Sequence, residues 1–465
     1  MGIMTAWRNL KIHQQVFALT IPMVLSNISV PLVGTVDTMV MGRLPEAHNM
    51  AAVGLGSALY LFLVGCLNFL RMGTTGFASQ AKGEENGAKV RQILLQAILL
   101  SFGLAIVVAI IALPFSEWAL NLLQTKESVA SGGAISEAAQ SNEAFVEGAR
   151  TFFSWRLWGL PAALLNYTLV GWFLGLQNAR IPLLIMLVTN VVNMALSVLF
   201  VLYLHKGVVG AAQAAIIAEW SGAIVGLWAL KFPLRKMVGS WDFSGLKRLS
   251  EWKPLLFVNR DIFFRSLILQ IAFLLVSIRG GRLGEETVAA NMIILNGLLI
   301  ISYLLDGFAH AIESLCGHAI GAKSRTKLRD TLIVAGGWGL IVSLIFAVGF
   351  VFLGKGFINL LTHIESVREA AYPLIPYLTM LPLIGVWSYL FDGLFIGATR
   401  AKEMRDSMFV AFAFALMLGA ILYPFGNHGL WIAFLSFMAL RGGLLGWIAY
   451  RIDQRDEWIA GEFKA

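Results

Sequence analysis

The sequence predicts an all-α polytopic membrane protein, with twelve transmembrane helices in two pseudo-symmetric six-helix bundles. Three observations lead there. The 465 residues are 58% hydrophobic and 13% charged. That is about half the charged share of an ordinary soluble domain, so the chain suits hydrocarbon better than water. Twelve apolar segments each approach the roughly 20 residues that cross a bilayer as a helix, whose backbone hydrogen bonds close internally. Short motifs also recur between the two halves at fixed offsets.

The segments read as 16–41, 51–79, 92–114, 148–177, 181–204, 208–230, 255–278, 288–319, 331–353, 371–398, 407–424 and 429–450. They leave no room for a sizeable soluble domain. Only two polar interruptions are long, 116–147 and 231–253. The second is basic, contains Pro233 and Gly239, and lies at mid-chain. It divides the chain into a first bundle over 1–230, a linker over 231–253 and a second bundle over 254–465. Ala81-Lys82-Gly83 recurs as Ala319-Ile320-Gly321, an offset of 238. Gly-Leu-Gln-Asn-Ala-Arg (175–180) recurs as Gly-Ala-Thr-Arg-Ala-Lys (397–402), an offset of 222, and Gly207 is matched to Gly429 at the same offset. The drop of 16 is assigned to an insertion near Glu127–Asn142. Six helices per half keep both halves in one orientation, a parallel repeat about a shared axis with a central cleft.

A net charge of +8 raises the question of nucleic acid, and its placement answers it. With both termini on one side, that side carries 22 Lys and Arg against 7 on the other. This is the positive-inside pattern, so both termini are expected in the cytoplasm and nucleic acid is not an expected partner. The first apolar segment runs past the length of a signal-peptide core, carries Asp37 and lacks a small-residue cleavage site, which predicts a retained first helix. Cys66 and Cys316 both fall within spans and form no disulfide framework. There is no Gly-x-x-x-x-Gly-Lys-Ser/Thr run. ATP hydrolysis is therefore not expected, and energy should come from an ion gradient or a partner. The seven histidines are scattered, so no metal, cofactor or enzymatic centre is expected.

In the first half Asp37 stands out, because an ionisable group within a span costs about 2.5–3.5 kcal/mol on insertion scales. It shares a helical stripe with Asn27, Gly34 and Met41. Pro22 and Pro31 interrupt the backbone ladder of the same span and permit bending. Span 5 presents Asn190, Asn193 and Ser197 at i, i+3 and i+7, and Asn166 in span 4 can extend that polar pocket. Two readings stand: a protonatable carboxylate in a polar pocket, or an Asp37–Arg43 pair at the interface with the asparagines joining helices. In the second half, Tyr303, Asp306, His310 and Glu313 share one face of span 8. Span 7 adds Asn259, Arg260, Asp261 and Arg265, span 10 adds Asp392 and span 12 adds Arg441. These residues can relay protons, or they can neutralise one another as an ion-pair network. Under the second reading Asp306→Asn leaves a buried arginine unpaired. Arg71, Arg156 and Glu219 are expected to be pairing partners.

Several stretches carry a resemblance to a known family. They are Pro-Leu-Val-Gly-Thr-Val-Asp-Thr-Met-Val-Met-Gly (31–42), Leu-Arg-Met-Gly-Thr-Thr-Gly (70–76), Asn-Arg-Asp-Ile-Phe-Phe-Arg-Ser (259–266), Leu-Asp-Gly-Phe-Ala (305–309) and Asp-Gly-Leu-Phe-Ile-Gly-Ala-Thr-Arg (392–400). Together they resemble the multidrug and toxic compound extrusion (MATE) transporters, in their DinF-like branch, over nearly the whole chain. The resemblance implies two six-helix bundles in a V, alternating access, and proton- or sodium-driven export of cationic or amphipathic drugs from the bacterial inner membrane. It places the coupling aspartate on Asp37, a bending proline on Pro22 and a pocket asparagine on Asn193. Where similar members carry an acid four positions later in span 5, this chain has Ser197. That leaves Asp37 as the one titrating group there and favours protons over sodium. A lipid or lipid-linked precursor flippase of the same superfamily is the alternative. A monomer among membrane lipids is expected.

Overall fold

The computed structural model describes residues 3–43, 47–121 and 137–459. It holds twelve helices long and apolar enough to cross a membrane: Leu10–Met41 (α1), Met50–Gly83 (α2), Gly87–Glu117 (α3), Ala144–Gly175 (α4), Arg180–Tyr203 (α5), Gly207–Lys236 (α6), Leu249–Gly281 (α7), Glu285–Gly321 (α8), Arg325–Leu361 (α9), Glu365–Gly397 (α10), Ala401–Ile421 (α11) and Tyr423–Gln454 (α12). They correspond one for one to the twelve predicted spans and mostly run longer. Polar first and last turns explain the excess, since they extend the helix past its apolar core. Asn9, for example, caps α1 by accepting from the Lys11 amide at 3.2 Å, and Ser324 caps α9 by accepting from the Lys327 amide at 3.4 Å. Between α6 and α7 the chain is non-helical only over a short stretch, because Lys231–Lys236 is helical and α7 begins at Leu249. The proposed insertion lies mostly outside the described residues, which resume with a helix at Glu137.

An even number of crossings separates the N-terminus from each of the ends of α2, α4, α8, α10 and α12, so these ends gather at the terminus-bearing end of the molecule. The repeat is visible there in the backbone. Glu85 and Lys323, which follow α2 and α8, both adopt positive φ (57° and 53°), and their offset is 238. Gln177 and Thr399, which follow α4 and α10, do likewise (57° and 56°), at an offset of 222. Packing repeats too. Gly171 lies against the Arg71 carbonyl as Gly393 lies against that of Ala309, and Gly175 meets the Thr75 carbonyl as Gly397 meets that of Glu313. One match needs correction. Gly207 opens α6 with φ +53°, and its counterpart is Gly426, with φ +56°, at an offset of 219. Gly429 pairs instead with Gly210, since each packs on the carbonyl end of the preceding helix. A glycine motif marks a turn, but identity alone does not say which of two nearby glycines carries the left-handed backbone.

Within each half, the second and fourth helices pack together, as do the fifth and sixth. The halves meet chiefly through α8, which contacts both α1 and α2, and through α7 against α2. At the terminus-bearing end this contact is backbone on backbone. A methyl group on Gly83 would run into the His318 carbonyl and the Ala322 amide, and one on Gly321 would strike Gln80. Gln80 Nε2 donates to the Gly397 carbonyl at 2.8 Å, and Ser314 Oγ donates to the Leu174 carbonyl at 2.5 Å. These bonds join α2 to α10 and α8 to α4, so each half is stitched to the other by related contacts.

Candidate transport site

In the first half, α1 and α5 face each other through their polar residues. Ser197 Oγ donates to Asp37 Oδ1 at 2.8 Å and lies 3.1 Å from Asn193 Oδ1. Asn190 Nδ2 donates to Ser29 Oγ at 2.5 Å. Asp37 and Arg43 form no ion pair among the described residues, so the carboxylate is engaged by a neutral hydroxyl. Asp37, Asn193 and Asn27 are half-buried, whereas Ser197 and Asn190 are buried. On α5 only Ser197 reaches the carboxylate; Asn193, one turn earlier, meets the Ser197 hydroxyl. The other two asparagines lie elsewhere. Asn27 Nδ2 donates across the cleft to the Tyr303 carbonyl of α8 at 3.1 Å. Asn166 Nδ2 donates to the Glu219 carbonyl at 2.9 Å. A stripe shows which face a side chain occupies, but not which neighbour that face meets.

Helix α1 is continuous through both prolines. Pro22 and Pro31 lack the amide hydrogens that would bond four residues back. Ser26 Oγ donates to the Pro22 carbonyl at 2.9 Å and Thr35 Oγ1 to that of Pro31 at 3.0 Å. Such bonds from a hydroxyl to the carbonyl four residues earlier favour bending. The helix therefore has two weakened turns, one on each side of its cross-cleft contact at Asn27.

Deeper in the first half, Arg156 Nη2 donates to Glu219 Oε1 at 2.7 Å, its guanidinium lies 3.9 Å from the Tyr60 ring centroid, and the Tyr60 hydroxyl lies 3.3 Å from the same carboxylate. Pairing of Arg156 with Glu219 accords with the expectation for those two residues. Tyr60 was not expected there. Its i, i+4 relation to apolar residues of α2 gave no signal.

The second-half residues fall into three separate groups. Arg265 and Arg441 both donate to Asp392 Oδ2. Side-chain exposures of 6%, 4% and 8% show a triad cut off from water. Arg71, from α2 of the first half, donates to Glu313 at 3.2 Å and lies 3.2 Å from His310 Nδ1. The same Nδ1 lies 3.4 Å from Glu313 Oε2, so it accepts from Arg71 or donates to Glu313 according to its tautomer. Asp261 accepts from Arg260 at 2.9 Å and from Arg405 at 2.8 Å. Asp306 makes no hydrogen bond or ion pair among the described residues, although His310, Arg71, Arg265 and Asp392 are the charged groups facing it. The expectation that Asp306 holds a buried arginine is therefore corrected: Asp392 does so. The periodicity of α8 places Asp306 on the charged face, but α10 comes closer to the arginines of α7 and α12.

The model of the MatE family matches residues 22–199 and 262–425. The DNA damage-inducible protein F of Escherichia coli (strain K12) is 39% identical over 447 residues, covering 95% of this chain and 93% of that protein. A probable multidrug resistance protein NorM of a Synechococcus species is 24% identical over 93% of this chain and 92% of the relative. Among solved structures, an outward-facing multidrug resistance MATE family transporter of the MOP superfamily aligns with a TM-score of 0.79 at 21% identity, over 95% of this chain and 96% of that one. This agreement in sequence along the whole chain, on a shared twelve-helix fold, places the chain in the MATE family of multidrug and toxic compound extrusion transporters, in its DinF-like branch.

Proposed function

We propose that this transporter exchanges protons for cationic or amphipathic organic compounds by alternating access, with Asp37 as the coupling group. The observation that carries the proposal is the Ser197 hydroxyl, which has one hydrogen and stands between two acceptors, Asp37 Oδ1 at 2.8 Å and Asn193 Oδ1 at 3.1 Å. With Asp37 ionised, the hydrogen points to the carboxylate, whose remaining charge attracts a cationic guest. With Asp37 protonated, the acid donates to Ser197 Oγ, and the serine hydrogen turns to Asn193. The guest then loses its counter-charge. One proton thus changes both the affinity for the guest and the direction of a hydrogen-bond chain, which links the two ligands through one group.

Helix α1 suits the transmission of that change. It touches α5 through Ser29 and Asp37 and α8 through Asn27, and it is weakened at Pro22 and Pro31. Asn190, Asn193 and Ser197 then form the polar wall of the pocket, Asn27 ties α1 to α8, and Asn166 supports α6 behind it. Contacts between the halves cluster at the terminus-bearing end, which corresponds to a state open on the opposite side. The charge asymmetry supports termini in the cytoplasm of a bacterial cell, and the reading takes the protein as an inner-membrane monomer of two bundles, 1–230 and 254–465, joined by 231–253.

Dye export into the lumen of inverted vesicles tests this reading, with pH and sodium gradients imposed separately. The pH gradient alone should drive efflux. Asp37→Asn mimics the protonated acid, so it should insert normally and abolish gradient-driven efflux, while Asp37→Glu should keep part of it. Efflux driven by sodium alone, or a wild-type rate for Asp37→Asn, overturns proton coupling at Asp37. Movement of a lipid-linked precursor in place of dye overturns the drug reading and favours the flippase.

A further inference from the structure

A groove of about 480 Å³ opens on the surface between α7 and α11, lined by Arg260, Phe264, Arg405, Asp406 and Phe409. Its level follows from the sequence. Arg405 lies in the polar first turns of α11, ahead of the apolar stretch that begins at 407, and so at the level of the headgroups. Arg260 shares that level, because both arginines bond Asp261 Oδ1. An arginine side chain there meets the lipid phosphates.

The hydrogen bonds show which guanidinium has donors to spare. Each nitrogen of Arg405 has a partner: Nε and Nη2 donate to Asp406 at 2.8 and 2.6 Å, and Nη1 donates to Asp261. Arg260 gives Nε and Nη2 to Asp261 at 3.0 and 2.9 Å. Its Nη1 has no hydrogen-bond partner among the described residues, its guanidinium lies 5.1 Å from the Phe257 ring centroid, and its side chain is 51% exposed. Asp261 itself is buried, so the pair anchors Arg260 from the inside and leaves its outer edge free. Lys253, Phe257, Arg260 and Phe264 follow one another at i, i+4, i+7 and i+11 on the exposed face of α7, and Lys402, Asp406 and Phe409 do so on α11. Lys253 and Lys402 thus lie toward the headgroups, and Phe264 and Phe409 toward the chains. Arg260 and Arg405 balance Asp261 and Asp406 in the groove, and Lys253 and Lys402 lie exposed beside it.

We propose that this groove holds the phosphate of an anionic glycerophospholipid in the leaflet at the terminus-bearing end. Arg260 Nη1 is the phosphate ligand, Lys253 and Lys402 add the charge that selects an anionic headgroup, and Phe264 and Phe409 flank the acyl chains. The site lies outside the proposed coupling pocket, and binding does not depend on which ion drives transport.

The test uses the full chain in neutral detergent, with lipid retention read by native mass spectrometry against phosphatidylglycerol, phosphatidylcholine and inorganic phosphate. Phosphatidylglycerol should bind at least about fivefold more tightly than phosphatidylcholine, and Arg260→Leu should weaken it by about fivefold, the effect of one basic residue at a membrane surface. Phosphatidylcholine, which presents the same phosphate to Arg260, should weaken as well from its lower starting affinity. Should Arg260→Leu fail to fold, Arg260→Gln, which keeps a polar contact for Asp261, is read in the same way. Equal affinity for the two lipids, or unchanged binding in the folded variant, overturns the proposal. Displacement of the lipid by millimolar inorganic phosphate overturns it in favour of a free-phosphate site.

Discussion

Substituting Asp392 by asparagine isolates the energetics of the second half. The carboxylate accepts from Arg265 and Arg441, and all three side chains are at most 8% exposed. Removing one partner of a buried ion pair costs about 3–5 kcal/mol, because the other charge stays desolvated. Here two cations lose their one shared anion, although the asparagine oxygen still accepts a hydrogen bond. A cost near the lower figure, about 3 kcal/mol, corresponds to roughly a 150-fold shift in the folding equilibrium. Fluorescence-detected size exclusion after heating should show a marked fall in the midpoint and in folded yield for Asp392→Asn. Replacing the whole triad with Asp392→Leu, Arg265→Met and Arg441→Met should recover most of the loss, since well-packed apolar groups replace buried ion pairs at little cost. Wild-type thermal stability in Asp392→Asn together with lost efflux would refute this reasoning and give the triad a part in transport.

Two further outcomes follow from the fold. Gly83→Val and Gly321→Val each drive a side chain into the backbone of the other half. Each should destabilise by about 1–3 kcal/mol, as overpacking does, and reduce efflux to a similar degree because the sites are related by the repeat. A wild-type result for either would contradict the close approach. For topology, Lys206→Cys should react with an impermeant thiol reagent on intact cells and Ser250→Cys only after permeabilisation, with both native cysteines buried. The reverse pattern would invert the orientation.

Much of this arrangement was legible in the residues, for definite reasons. Hydrophobic length marked all twelve helices, because hydrocarbon admits few alternatives. The α5 stripe put Asn193 and Ser197 together, since helical spacing fixes which side chains share a face, and Ser197 meets Asp37. Partners from distant segments were not legible. Nothing local distinguishes Asp392 from Asp306 as the counter-ion of Arg265, or places Arg71 on Glu313 and Tyr60 on Glu219. Each of those choices depends on how two helices lie against one another. The Gly207 match failed for a related reason, because two candidate glycines three residues apart differ only in backbone angle.

The Arg71–Glu313 contact also bears on how the chain is made. Its partners are 242 residues apart. At translation rates of about 5–20 residues per second, Arg71 enters the membrane roughly 10–50 s before Glu313 leaves the ribosome. Throughout that interval the first half is a nascent bundle carrying an unmatched cation on its inner face. Asn68, one turn earlier, accepts from Arg71 Nε at 3.2 Å, a local contact already available to the unfinished chain. Arrival of α8 then draws the guanidinium onto the carboxylate, so late synthesis of the second half completes the electrostatics of the first.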